Sequence, residues 1–155
     1  MSPPPNRIAM MANLATRLAA IQYPAYKCTV TEVGRVYETW DDVATSRMPF
    51  VGLLPLNNPI EYHPGNRAVQ RSRVNLYCYV QGQTATERIT ALENLVSDVF
   101  QTVAVDPTLT GTCITTTILD YTTDEGDPDS RTGVACAEVQ LELVFERDSS
   151  GGLNP

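Results

Sequence analysis

The segment ACAEVQLELVFER, residues 135–147, alternates with almost no slip. Ala135, Ala137, Val139, Leu141, Leu143 and Phe145 fall on one side, and Glu138, Gln140, Glu142 and Glu146 on the other. A period of two marks a strand buried on one face only. Such a strand needs apolar cover for one side and leaves a row of acids on the other. Three explanations of that row stand open: solvated surface, a ladder for arginines, or a wall that repels a polyanion.

Two helices are expected to supply the cover. Asn6 is placed to cap NRIAMMANLATRLAAIQ, in which Ile8, Met11, Leu14, Leu18 and Ile21 recur at helical spacing until Pro24 bars continuation. Thr84 and Glu87 have capping-box spacing, and Ile89, Leu92, Leu95, Val96, Val99, Phe100 and Val103 form a second apolar stripe that ends at Asp106-Pro107.

The remaining strand signals are KCTVTEVGRVY (27–37), a short strand within residues 43–56 bracketed by Pro49 and Pro55, RSRVNLYCYVQG (71–82) and TCITTTILDY (112–121). In 71–82, Val74, Leu76, Cys78 and Val80 share one face, with Arg71, Arg73, Asn75, Tyr77 and Tyr79 on the other. Residues 57–67, NNPIEYHPGNR, read as a long irregular loop, and the acidic TTDEGDPDSRTG (122–133) as the turn of a hairpin. The order is therefore α-β-β-β-α-β-β. The expected fold is α+β, a mostly antiparallel four- or five-stranded sheet with both helices on one face. One domain over residues 6–148 is flanked by flexible tails at 1–5 and 149–155.

A chain of 155 residues suits one domain, and 43% apolar with 19% charged residues is an ordinary soluble composition. No apolar run reaches the length of a bilayer span, and MSPPPNRIAMM lacks the basic and apolar regions of a signal peptide. The net charge of −7 disfavours binding nucleic acid by phosphate neutralisation. Cys28, Cys78, Cys113 and Cys136 form no C-x-x-C pair, so buried reduced thiols are expected, with two disulfides as the alternative.

Catalytic and metal chemistry have little to stand on. His63 is the only histidine, in a loop before proline, and no G-x-S-x-G accompanies it. Asp124, Glu125, Asp127 and Asp129 crowd one turn without the order of a calcium loop. No phosphate-cradling glycine motif is present, so no cofactor, metal or enzymatic activity is expected. Arg67, Arg71 and Arg73 are the one basic cluster. They either pair across strands with Glu138, Glu142 or Glu146, or form a subunit contact together with Tyr77 and Tyr79.

The succession of NRIAMMANLATRLAAI, the loop carrying Trp40 and MPFVGLLP, RVNLYCYVQG, ERITALENLVSDVFQTV, DPTLTGTCITTTILDY and AEVQLELVFER resembles the tail terminator (tail completion) proteins of long-tailed bacteriophages. The resemblance implies a non-enzymatic virion protein, assembled in the host cytoplasm and placed at the head-proximal end of the tail. It implies a homohexameric ring that stops growth of the tail tube, joins the tube protein to the head–neck connector and lets DNA pass without sequence-specific binding. Glu138, Glu142 and Glu146 would then face the channel or a neighbouring copy, and residues 54–68 would order against a neighbouring subunit or a tail protein. Another small neck or tail-tube-associated phage protein, a non-viral α+β binding module, or a small hydrolase using His63 are the rival readings.

Overall fold

The computed structural model describes residues 7–39, 41–65, 67–109, 111, 113–124 and 133–148. Asn6, Trp40, the acidic tip with Glu125, Asp127 and Asp129, and both terminal tails lie outside the described residues. Helix α1 spans Arg7–Ala19 and helix α2 Ala85–Val105. The strands are β1 (Glu32–Gly34), β2 (Phe50–Pro55), β3 (Ile60–His63), β4 (Arg67–Gln81), β5 (Thr115–Asp124) and β6 (Val134–Asp148). They form one six-stranded sheet in the order β1-β2-β4-β6-β5, with β3 on β4 beside β2. The sheet is mixed, because β1 runs parallel to β2 while every other pairing is antiparallel. The fold is α+β as the patterning implies, with more strands than the four or five expected.

The two alternating segments form the centre of the sheet. β4 and β6 pair without interruption from Arg67↔Asp148 to Gln81↔Val134. Their apolar sides, Val74, Leu76, Cys78 and Val80 with Val139, Leu141, Leu143 and Phe145, share one core with Met10, Leu14 and Leu18 of α1 and Leu92, Leu95 and Val99 of α2. Burying each such leucine or valine contributes about 1.5–3 kcal/mol, so this layer is the main source of stability. The capping box is present in a shifted form. Thr84 Oγ1 accepts the Glu87 N–H at 3.1 Å, while Glu87 Oε2 reaches the N–H of Gln83 at 2.9 Å.

Two expected elements change. Of the strand over 27–37 only Glu32–Gly34 remains, and its expected start is diverted: Asp98 takes the backbone donors of Lys27 at 3.0 Å and Cys28 at 2.9 Å, and the Ile21 carbonyl takes that of Val30 at 2.9 Å. A chain whose N–H groups are claimed by a side chain cannot also offer them to a ladder. Conversely, the irregular loop expected over 57–67 contains a strand, β3, at Ile60–His63. The backbone N–H groups of Arg73 and Arg71 donate to the carbonyls of Asn57 (3.1 Å) and Pro59 (2.9 Å), and this carries the chain along β4 into β3. β3 then turns through Gly65, whose φ of 85° suits a residue without a side chain.

Candidate interaction surface on the open face of the sheet

The face turned away from the helices divides into two halves. Over the C-terminal half of β4, residues 35–39 and 41–48 fold back, and Val43, Met48, Phe50, Tyr79 and Val134 build a second small core. Tyr79 is 1% exposed, stacks on Phe50 with ring centroids 5.7 Å apart, and donates its hydroxyl to the Glu38 carbonyl at 2.8 Å. Burial pushes its hydroxyl pKa up, with Tyr37 and other nearby titratable groups adding. Its parity assigns Tyr79 to a subunit contact; the side is right, but the surface there is already covered. Arg47 fastens the covering segment. It binds Glu32 and Glu38, the latter through Nη2 at 2.7 Å, and its guanidinium carbon lies 5.2 Å from the Phe50 ring centroid. The Arg47 hydrogen bond holds the Glu38 carboxyl below its ordinary pKa.

Tyr77 keeps partial exposure and packs against Tyr37, with centroids 4.8 Å apart. Together with Thr122, Asp124, Cys136 and Glu138 they line a cleft of about 180 Å³.

Over the N-terminal half of β4 the face is a charge ladder. Arg73 lies directly opposite Glu142. Glu142, whose side chain is 14% exposed, takes Arg71 at 3.3 Å and Arg73 Nε at 3.6 Å. The first distance is a hydrogen bond; the second is an ion-pair contact too long for one. Arg67 pairs with Glu146, and Asn75 donates an amide N–H to Glu138. The acids of β6 are therefore held by partners on β4. Arg67, Arg71 and Arg73 balance Glu142 and Glu146, so this half is not a bare acidic wall. Cross-strand spacing carries the arrangement, since opposed and diagonal side chains on one sheet face lie within reach of long residues.

His63, at the end of β3, has Nε2 3.7 Å from Glu61 Oε1 and otherwise stands at the surface. No group of three or more histidine, cysteine or acidic side chains is placed to hold a metal among the described residues. All four cysteines are free thiols. No helix is long and apolar enough to cross a membrane among the described residues.

Two features escape the sequence patterning. Asp98 is 0% exposed and receives the Cys28 thiol at 3.0 Å as well as the two backbone donors. Its signal is a carboxylate set inside the apolar stripe of α2, between Leu95 and Val99. The other is a groove beside β1, lined by Arg7, Ile8, Met11, Arg35 and Pro55. Nothing local marks it, because three separate segments build it. A scan against protein-family models returns no match for this chain, and neither does a search of curated protein sequences.

Proposed function

We propose that the chain is a structural, non-enzymatic subunit of a long-tailed phage virion: a tail terminator that closes the end of the tail tube as a ring and presents it to the head–neck connector. The similarity of element order and texture to that family motivates the reading. The observation that carries it is a sheet completed on one face and left open over half of the other. The helices cover one side, while the β3 hairpin is exposed along all four residues of its strand and no element among the described residues covers the ladder half of the second face. These are surfaces for neighbours.

Paired charges bear on which neighbour meets the ladder. A face whose arginines and glutamates offset one another repels DNA weakly and suits a protein surface of mixed charge. Arg67, Arg71 and Arg73 with Glu142 and Glu146 therefore fit contact with another subunit or the tube protein better than a channel lining. The β3 hairpin within residues 54–68 is assigned to the same role. Negative-stain microscopy of the purified protein, alone and mixed with tail tubes of its phage, tests the reading. Rings, seated at tube tips, are expected; a monomer at all concentrations together with bare tips overturns it.

A further inference from the structure

The outer strands of the sheet carry complementary features at opposite ends of the strand order. Beside β1 lies the groove of about 350 Å³ formed by Arg7, Ile8, Met11, Arg35 and Pro55. Its floor is apolar, with Met11 buried and Ile8 largely exposed at the rim. Its two cations make no ion pair among the described residues. Arg7 Nε is buried there without a hydrogen-bond partner among those residues. A buried guanidinium nitrogen left unpaired is costly, and a carboxylate is its natural complement.

At the far edge, β5 breaks register. Ile118 pairs with Leu141 and Asp120 with Gln140, so Leu119 is an extra residue with no counterpart on β6. A bulge of this kind bends an edge strand and discourages a further strand from extending the ladder. It leaves side chains to make contact instead. Leu119 is 43% exposed, and Asp120 beside it is exposed with no ion pair among the described residues. Leucine and aspartate at the bulge match the groove in both respects, an apolar group for the floor and an anion for the two arginines.

We infer that the groove at the β1 edge of one copy receives the Leu119–Asp120 bulge at the β5 edge of a second copy. One sheet holds the two patches at opposite edges, so they meet only between molecules, and every copy presents one of each. Such a contact is head-to-tail; it propagates until rotation closes a ring. The inference rests on the ring reading above and names the two surfaces that would form the joint.

Sedimentation velocity on the full chain tests it, using Arg35→Glu, Asp120→Arg, the two changes on one chain, and an equimolar mixture of the single variants. Both positions are exposed, and circular dichroism checks that each variant is folded. Each single variant is expected to self-associate at least about tenfold more weakly than the parent protein. The mixture and the doubly changed chain recover association, because every joint then joins an acid to an arginine. Parent oligomers that persist unchanged in both single variants overturn the inference and leave the ring reading standing. Loss in the singles without recovery in the mixture also overturns it. A parent protein that stays monomeric at all concentrations removes both.

Discussion

Phe50 and Tyr79 lie face to face with their ring planes 5° from parallel, and the Phe50 ring covers two glycines on neighbouring backbone. A Cβ at Gly34 would stand 2.6 Å from Phe50 Cζ, and one at Gly52 3.0 Å from Cε1. Gly34→Ala should therefore destabilise the fold by about 1–3 kcal/mol through overpacking. The same change in a Phe50→Leu background should cost clearly less. Urea unfolding of the four proteins measures this coupling; equal costs in both backgrounds would show that the ring is not the obstacle.

Asp98 ties residues 27–28 to the middle of α2 with three hydrogen bonds from a fully buried position. Asp98→Ala should cost about 2–4 kcal/mol, since two backbone donors lose a charged acceptor away from water. Amide hydrogen exchange should show Lys27 and Cys28 losing protection while the centres of β4 and β6 keep theirs. Unchanged exchange at those two amides would contradict the assignment.

The buried thiols make stability fall in alkali. Burial, with the Asp98 hydrogen bond and charge adding, pushes the Cys28 thiol from 9.0 up to about 12, and burial with Cys136 does the same to Cys78. An unfolded thiol releases its proton near 9.0, whereas these hold theirs to about 12. Their contribution is thus fully present below the lower value and is lost as pH rises toward the upper one. The urea midpoint should decline between pH 9 and 11, and Cys78→Ala should reduce that slope. A midpoint independent of alkaline pH in the parent protein would refute this.

The charge ladder should be energetically uneven. Arg67 has a side chain 66% exposed, so Arg67→Ala should change stability by no more than about 0.5–1 kcal/mol. Glu142 is shielded and serves two arginines, so Glu142→Ala should cost more, about 1–3 kcal/mol. Thermal or urea unfolding ranks the two, and a larger loss at Arg67 would overturn the ordering.

Much of this architecture is legible along the chain because it is local. The alternation of Val74 through Val80 and of Ala135 through Phe145 gives each central strand its inner face, and Thr84 with Glu87 announces the start of α2. What patterning misses is decided by distant groups. Residues 27–31 have the β-branched content of a strand, yet the donors of Lys27 and Cys28 are taken by a carboxylate about seventy positions away, and that of Val30 by the Ile21 carbonyl just past the end of α1. β3 hides in Asn- and Pro-rich sequence, since with all four residues exposed it lacks an apolar face to show. Tyr79 points to the side its parity dictates, but the fold-back of residues 41–48 over it has no periodic signature. The arginines and acids could be picked out as partners by type; that Glu142 holds two of them emerges only from register.

β6 is the last strand among the described residues and lies between β4 and β5. Until it leaves the ribosome, β5 has no neighbour to define its bulge, and β4 lacks the partner that organises its charged side. Pairings so distant in sequence form late, and half-made sheets are prone to wrong associations. On the ring reading proposed above, the order of synthesis acts as a safeguard: a nascent chain cannot present a finished bulge edge to another copy before its own centre is in place.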